Sequence, residues 1–287
     1  MQVLTTREAL LNWRKKAQGQ VGFVPTMGAL HEGHLSLVRQ SLSENDWTVV
    51  SIFVNPRQFG PKEDFEKYPR TPETDIRLLQ NLGVSVVFMP PESEMYSPED
   101  EFHISATRLS RLWCGGYRVG HFDGVALVLT KLFHLVMPTR AYFGEKDFQQ
   151  VRIVEKMVEE LFFPIQIVRH PTVREPDGLA MSSRNAYLSP RGRAQAVALY
   201  KALQYLQALA AQHSQTAFLI EETLRYLKEN YPEVEVEYLA VVDEHSLESI
   251  EHLSQSAHPR ALIAAYVEGV RLIDNLPLSP VPASGGV

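Results

Sequence analysis

The sequence predicts an α/β protein: a doubly wound parallel sheet followed by a smaller α+β domain. Three observations carry this. Short apolar, β-branched runs alternate with stretches of helical period as far as Pro171. Polar and glycine-bearing turns follow directly on the runs, at the carboxyl ends of parallel strands where such sheets take their ligands. Beyond Pro171 the pattern changes to long Ala-, Leu- and Gln-rich helical stretches and then alternating runs. The boundary is expected near residue 172, giving domains 1–172 and 173–287.

In chain order, residues 5–18 read as an amphipathic helix with Leu10, Leu11 and Trp13 on its apolar side. Val21 to Val24 is a buried strand, and Leu35, Leu37, Val38 and Leu42 then recur at helical spacing. Between them lies Pro25-Thr26-Met27-Gly28-Ala29-Leu30-His31-Glu32-Gly33-His34. A strand-to-helix turn offers free backbone N–H groups and the positive end of the helix dipole to an anion. Gly28 and Gly33 lack a Cβ where a phosphate or base must approach the backbone. If Gly33 opens the helix, His31 and His34 leave its first turn towards one edge. There they can bond phosphoryl oxygens, and an anion would raise their pKa until one is protonated. The plainer alternative is a glycine-rich turn with two solvated histidines.

Residues 48–54 form a strand covered on both faces, ending at Asn55-Pro56-Arg57-Gln58-Phe59. Thr71 as N-cap and Pro72 at the first position open a helix through Ile76, Leu79 and Leu82 that Gly83 ends. Residues 84–89 are a third strand, and residues 90–120 read as a long irregular stretch. A helix over 123–137, a strand at 141–143, the turn Gly144-Glu145-Lys146-Asp147, a helix over 148–161 and a strand at 165–168 complete the first domain. Then come Met181-Ser182-Ser183-Arg184-Asn185, helices over 191–212 and 216–230, and strands at 234–242, 260–267 and 270–273. The tail, 277–287, reads as loose.

This alternation requires right-handed crossovers, so His31, His34, Asn55, Gln58, Lys146 and Asp147 are expected at one sheet edge. Taken singly, each group has an ordinary explanation. Asn55–Phe59 is a polar turn, Asp147 either caps a helix or holds a ribose hydroxyl, and Gln150 lies on a solvated face. The hydroxyls and guanidinium of Ser182, Ser183 and Arg184 form a phosphate grip. Combined with His-x-Gly-His upstream, they give donors on both sides of a triphosphate.

Composition bounds the function. The chain has 287 residues, 45% hydrophobic and 22% charged, as in a soluble globular protein. A net charge of −6 argues against a broad nucleic-acid-binding surface. One cysteine, Cys114, allows no internal disulfide and fits a reducing compartment. The N-terminus shows no signal pattern, and residues 125–137 are too short and too interrupted to span a bilayer. A cytoplasmic protein is expected.

Together the motifs closely resemble the pantoate–β-alanine ligases, a family of the His-x-Gly-His nucleotidyltransferase superfamily that shares ancestry with class I aminoacyl-tRNA synthetases. The likeness rests on Pro25–His34, Ser51–Pro56 with Gln58 and Phe59, Tyr68–Thr71, Gly120–Phe122 with Gly124 and Val125, Phe143–Gln150, Asp177–Ala180, Ser182–Asn185 and Arg271–Asn275. It covers nearly the whole chain in order. Two departures are Arg57, where the family usually has an uncharged residue, and Val119, where it usually has Pro.

The resemblance implies a Rossmann-like domain and a two-step reaction. Pantoate and ATP give pantoyl adenylate, and β-alanine then gives pantothenate. It implies that Met27, Gly28, Ala29, Leu30, His31, Glu32, Gly33 and His34 line the ATP site, with His34 as acid or charge stabiliser. Gly144, Glu145, Lys146 and Asp147 take ribose and phosphate, Val173 meets adenine, and Met181, Ser182, Ser183 and Arg184 close on the phosphates. The catalytic set is then His31, His34, Lys146 and Arg184. Gln58 would hold pantoate and β-alanine, and Gln150 pantoate. Mg²⁺ would ride on ATP, with Asp75 either supporting it or lying on a helix surface. No protein-held metal, nucleic acid or membrane is expected, and a homodimer is. Rival readings are another nucleotidyltransferase, such as a cytidylyltransferase, or a nucleotide sensor without chemistry.

Overall fold

The computed structural model describes residues 1–61 and 63–278 and divides into two compact units, Met1–Val173 and a second beginning at Arg174. The expected loose tail from 279 onward lies outside the described residues.

The first unit runs β1 (Gln2–Leu4), α1 (Arg7–Arg14), β2 (Val21–Thr26), α2 (Glu32–Glu44), β3 (Trp47–Ile52), α3 (Pro72–Leu82), β4 (Val86–Phe88), α4 (Glu92–Met95), α5 (Trp113–Tyr117), α6 (His121–Val136), β5 (Arg140–Gly144), α7 (Phe148–Glu160) and β6 (Gln166–His170). Its sheet has the order β1-β4-β3-β2-β5-β6 with every pair parallel. Side chains of period two part cleanly between its faces. Phe23, Val49, Val86, Phe88 and Phe143 pack in one core with α6 and α7, and Val24, Val50, Val87 and Tyr142 in another with Leu35, Val38 and Leu79.

Chain order reverses between β2 and β5, so the ligand crevice belongs there. Pro25 helps to open it. β2 continues past Val24 to Thr26, one residue beyond Pro25. Thr139 N–H bonds the Val21 carbonyl, so odd-numbered residues of β2 face β5. Pairing with β5 stops at Phe23↔Ala141, whereas pairing with β3 runs to Thr26↔Ile52. The proline's missing N–H therefore falls on the side where the ladder has ended.

Several boundaries differ from the sequence reading. β1 is too short to show a period. The stretch 90–120 contains α4, α5 and a helical turn at Leu109–Arg111. In the second unit the expected single helix over 191–212 is two, α8 (Pro190–Ala196) and α9 (Ala198–Ala210), meeting at Val197. After α10 (Thr216–Asn230), strands β7 (Glu235–Asp243), β8 (Pro259–Val267) and β9 (Val270–Pro277) form an antiparallel sheet. Pro277 ends a strand instead of opening the tail.

Candidate active site

The turn after β2 is fixed by a residue that the sequence reading placed elsewhere. Gly28 (φ 82°) and Ala29 (φ 49°) are consecutive left-handed residues. Their conformation turns successive amides to one side. The Ala29 N–H donates to Asp75 Oδ2 and the Leu30 N–H to Asp75 Oδ1, each at 2.9 Å. Asp75 is 1% exposed, and Thr71 Oγ1 donates to its Oδ1 at 3.1 Å. This corrects both earlier readings of Asp75. It is not on a surface, and its oxygens are engaged by the turn, so it does not fit as a metal ligand. Thr71 spends its hydroxyl there and caps no amide.

The histidines cap their own helix. α2 starts at Glu32, one residue before Gly33, with His31 as N-cap. His31 Nδ1 accepts from the Gly33 N–H at 3.2 Å, and His34 Nδ1 accepts from the His31 N–H at 3.4 Å. The two rings lie 4.1 Å apart, centroid to centroid. The helix end is thus not a set of free N–H groups, because imidazoles take two of them. An Nδ1 that accepts leaves the proton of a neutral ring on Nε2. Burial, then the Lys146 charge, lowers the His31 pKa to about 4. Burial, then His31 and Lys146, lowers His34 to about 3. Both are neutral donors at pH 7 before an anion binds.

Next to them, β3 leads into a helical turn, Pro56–Gln58, whose N-cap is the buried Asn55. Asn55 Nδ2 donates to Gln58 Oε1 (3.0 Å) and to the Gly124 carbonyl (3.1 Å), while Gln58 Nε2 donates to Met27 Sδ (3.1 Å). Gly124 is required by this approach: a Cβ there would lie 2.1 Å from the Arg57 carbonyl oxygen. His121 Nδ1 lies 2.7 Å from the Gln58 carbonyl, and Arg118 Nη1 lies 3.0 Å from His121 Nε2. Burial, then Arg118, lowers His121 to about 3, so the neutral ring donates through Nδ1 and accepts through Nε2. Arg118 also pairs with Glu63 at 2.6 Å. The departure at Arg57 is absorbed locally, its guanidinium lying 4.9 Å from the Tyr96 ring centre. His121 and Gly124 belong to a quoted motif and Arg118 lies just before it, but sequence reasoning gave them no task.

At the third strand end, Gly144 closes β5 and Glu145–Asp147 make one helical turn before α7. Asp147 is the N-cap by position, yet its side chain makes no cap bond. Lys146 Nζ lies 3.8 Å from Asp147 Oδ2, and its charge reaches both histidines. Glu145 stands 3.8 Å from Arg169. Gln150 is partly buried one turn into α7, whereas Gln149 is buried and donates to the Leu109 and Leu112 carbonyls. The first unit thus pairs Gln58 with Met27 and sets His31, His34 and Lys146 within electrostatic reach of one another, all at the carboxyl ends of β2, β3 and β5.

Val173 ends that unit. The Ser-Ser-Arg loop belongs to the second. Ser182 Oγ accepts from the Arg184 N–H at 3.3 Å and opens a helical turn, Ser183–Tyr187. Asn185 Nδ2 ties this turn to the Ala180 carbonyl, and Arg174 pairs with Asp274 at 2.6 Å. Among the described residues no group of three or more His, Cys, Asp or Glu side chains can hold a metal ion. No described helix is long and apolar enough to cross a membrane.

Comparison with known proteins agrees over the whole chain. The sequence profile of pantoate-beta-alanine ligase matches residues 2–277. The pantothenate synthetase of Thermotoga petrophila is 46% identical over 278 residues, covering 96% of this chain and 99% of that one. That of Magnetococcus marinus is 47% identical over 292 residues, covering 99% of each. The Thermus thermophilus enzyme's crystal structure superposes with a TM-score of 0.92 at 45% identity, over 98% of this chain and 100% of that one. A Francisella tularensis pantoate-beta-alanine ligase, complexed with beta-gamma ATP and beta-alanine, gives 0.80 at 32% identity, over 96% and 97%.

Proposed function

Because the chain belongs to the pantoate-beta-alanine ligase family, it is an ATP-dependent ligase that joins (R)-pantoate to β-alanine through a pantoyl adenylate, and we propose how its residues divide that work. In the first step a pantoate carboxylate oxygen attacks the α-phosphorus, and the bond to the bridging oxygen breaks with release of pyrophosphate. In the second, the β-alanine amine attacks the acyl carbon, loses a proton, and AMP leaves. Neither step needs a protein nucleophile. Both need alignment, neutralised charge and exclusion of water from the mixed anhydride.

ATP lies along Met27, Gly28, Ala29, Leu30, His31, Glu32, Gly33 and His34, and across Gly144, Glu145, Lys146 and Asp147, with the Val173 backbone at adenine. His31 and His34 give their Nε2–H groups to phosphate oxygens. The triphosphate raises their pKa, so His34 meets the growing charge as a donor able to become cationic. Lys146 adds a fixed positive charge. Met181, Ser182, Ser183 and Arg184 of the second unit are assigned to the phosphates on the family motif. Gln58 and Gln150 hold pantoate, Gln58 also serving β-alanine. Mg²⁺ enters on the ATP phosphates and water and lowers their charge. We assign the enzyme to the cytoplasm as a homodimer.

The carrying observation is the cluster of two Nε2–H histidines, Lys146 and Gln58 at the carboxyl ends of β2, β3 and β5. Its test is Gln58→Ala. The variant should raise the pantoate KM about thirtyfold, as for a lost hydrogen bond to a charged group, with the ATP KM within twofold. Equal loss for both substrates would move Gln58 out of the pantoate site.

A further inference from the structure

We infer that Tyr96 is a positioning residue that fixes which end of the Gln58 amide faces the acid substrate. The inference rests on Gln58 being the pantoate-binding residue proposed above.

Tyr96 follows α4 and is 8% exposed. Its ring packs 6.1 Å from that of Phe53, with the Arg57 guanidinium 4.9 Å and Lys131 Nζ 4.5 Å from its centre. Its hydroxyl lies 2.7 Å from Asn55 Oδ1. A phenol can donate or accept, so the direction of this bond depends on Asn55. The two hydrogens of Asn55 Nδ2 are committed to the Gly124 carbonyl and Gln58 Oε1. Its oxygen also receives the Arg57 N–H at 3.3 Å. Oδ1 is therefore the acceptor, and Tyr96 donates. Burial raises the phenol's pKa, which keeps that proton in place.

The chain of donors then has one polarity: Tyr96 to Asn55, Asn55 to Gln58 Oε1, and Gln58 Nε2 to Met27 Sδ. A thioether is a weak acceptor, so a carboxylate or hydroxyl oxygen readily replaces it. The pantoate carboxylate only accepts, and Gln58 meets it with N–H. Without the phenol proton a half-turn of the Asn55 amide is opposed only by the Gly124 carbonyl and the Arg57 N–H, and the turned state gains population. Gln58 can then turn too and set its own oxygen against the substrate carboxylate. The Gln58 backbone is held separately by His121, so the effect is on side-chain direction.

Tyr96→Phe keeps the ring and removes only the hydroxyl. In pantoate-dependent pyrophosphate exchange its pantoate KM should rise about tenfold, the scale of one misdirected hydrogen bond. The ATP KM and the thermal midpoint should stay close to those of the parent. In a Gln58→Ala background the same change should add nothing. Asn55→Asp is the second variant. Its carboxylate has no hydrogen for Gln58 Oε1 and draws Gln58 Nε2 inward, so the pantoate KM should again rise with little change for ATP. An unchanged pantoate KM in either single variant, or an equal rise in both Gln58 backgrounds, overturns the role of Tyr96. Gln58→Ala alone with normal pantoate use overturns the underlying Gln58 reading instead.

Discussion

A His34→Ala variant is expected to form pantoyl adenylate about 10²- to 10⁴-fold more slowly than the parent, with its fold intact. The imidazole has two separable tasks. Nδ1 accepts the His31 N–H, a local cap worth about 1 kcal/mol. The Nε2–H is the donor assigned to the phosphate charge that grows in the transition state, and no methyl group replaces it. Single-turnover formation of the adenylate measures the second task, and thermal unfolding the first. A near-normal rate from folded protein would remove His34 from the chemistry. Stability should also change with pH in a defined direction. Folded His31 and His34 titrate at about 4 and 3, below the 6.5 of an unfolded chain. Their contribution is complete above pH 6.5 and falls as pH drops towards those values, because the unfolded chain takes up the protons first. The His34→Ala variant loses less stability over that window.

Asp75→Ala should be the more damaging change to structure. It leaves the Ala29 and Leu30 amides and the Thr71 hydroxyl without their acceptor and frees a turn that holds Ala29 at positive φ. Two part-buried N–H groups and a hydroxyl that lose this acceptor cost roughly 2–5 kcal/mol. Urea unfolding should show that loss, and the ATP KM should rise at least tenfold as the Met27–Leu30 turn relaxes. Asp75→Asn should fall between, since one amide group satisfies one N–H and opposes the other. If Asp75 were instead a metal ligand, stability would stay unchanged and extra Mg²⁺ would restore activity.

These two residues show where sequence reading reaches and where it stops. The sheet was legible because β-branched runs and helical periods are local, and Gly28 marked a turn through its missing Cβ. The placing of His31, Gln58 and Lys146 at one sheet edge followed from topology alone, since each comes directly after a parallel strand. Asp75 was not legible in the same way. Its task depends on the first turn of α3 arriving under a loop 46 residues earlier. A helix-opening carboxylate looks the same whether it faces solvent or a pair of backbone amides from another loop. Tyr96 and His121 were hidden likewise, because they act through Asn55 and the Gln58 backbone and carry no periodic signal. The histidines' capping role was missed because side-chain oxygens usually fill that position. The break between α8 and α9 at Val197 has no proline or glycine to announce it.

The crevice between β2 and β5 is proposed to make an acyl adenylate of pantoate before β-alanine takes part. The most direct measurement is exchange of labelled pyrophosphate into ATP with Mg²⁺, with and without (R)-pantoate, in the absence of β-alanine. Exchange should appear only when pantoate is present. Exchange without pantoate, or none from folded protein with pantoate, would contradict it.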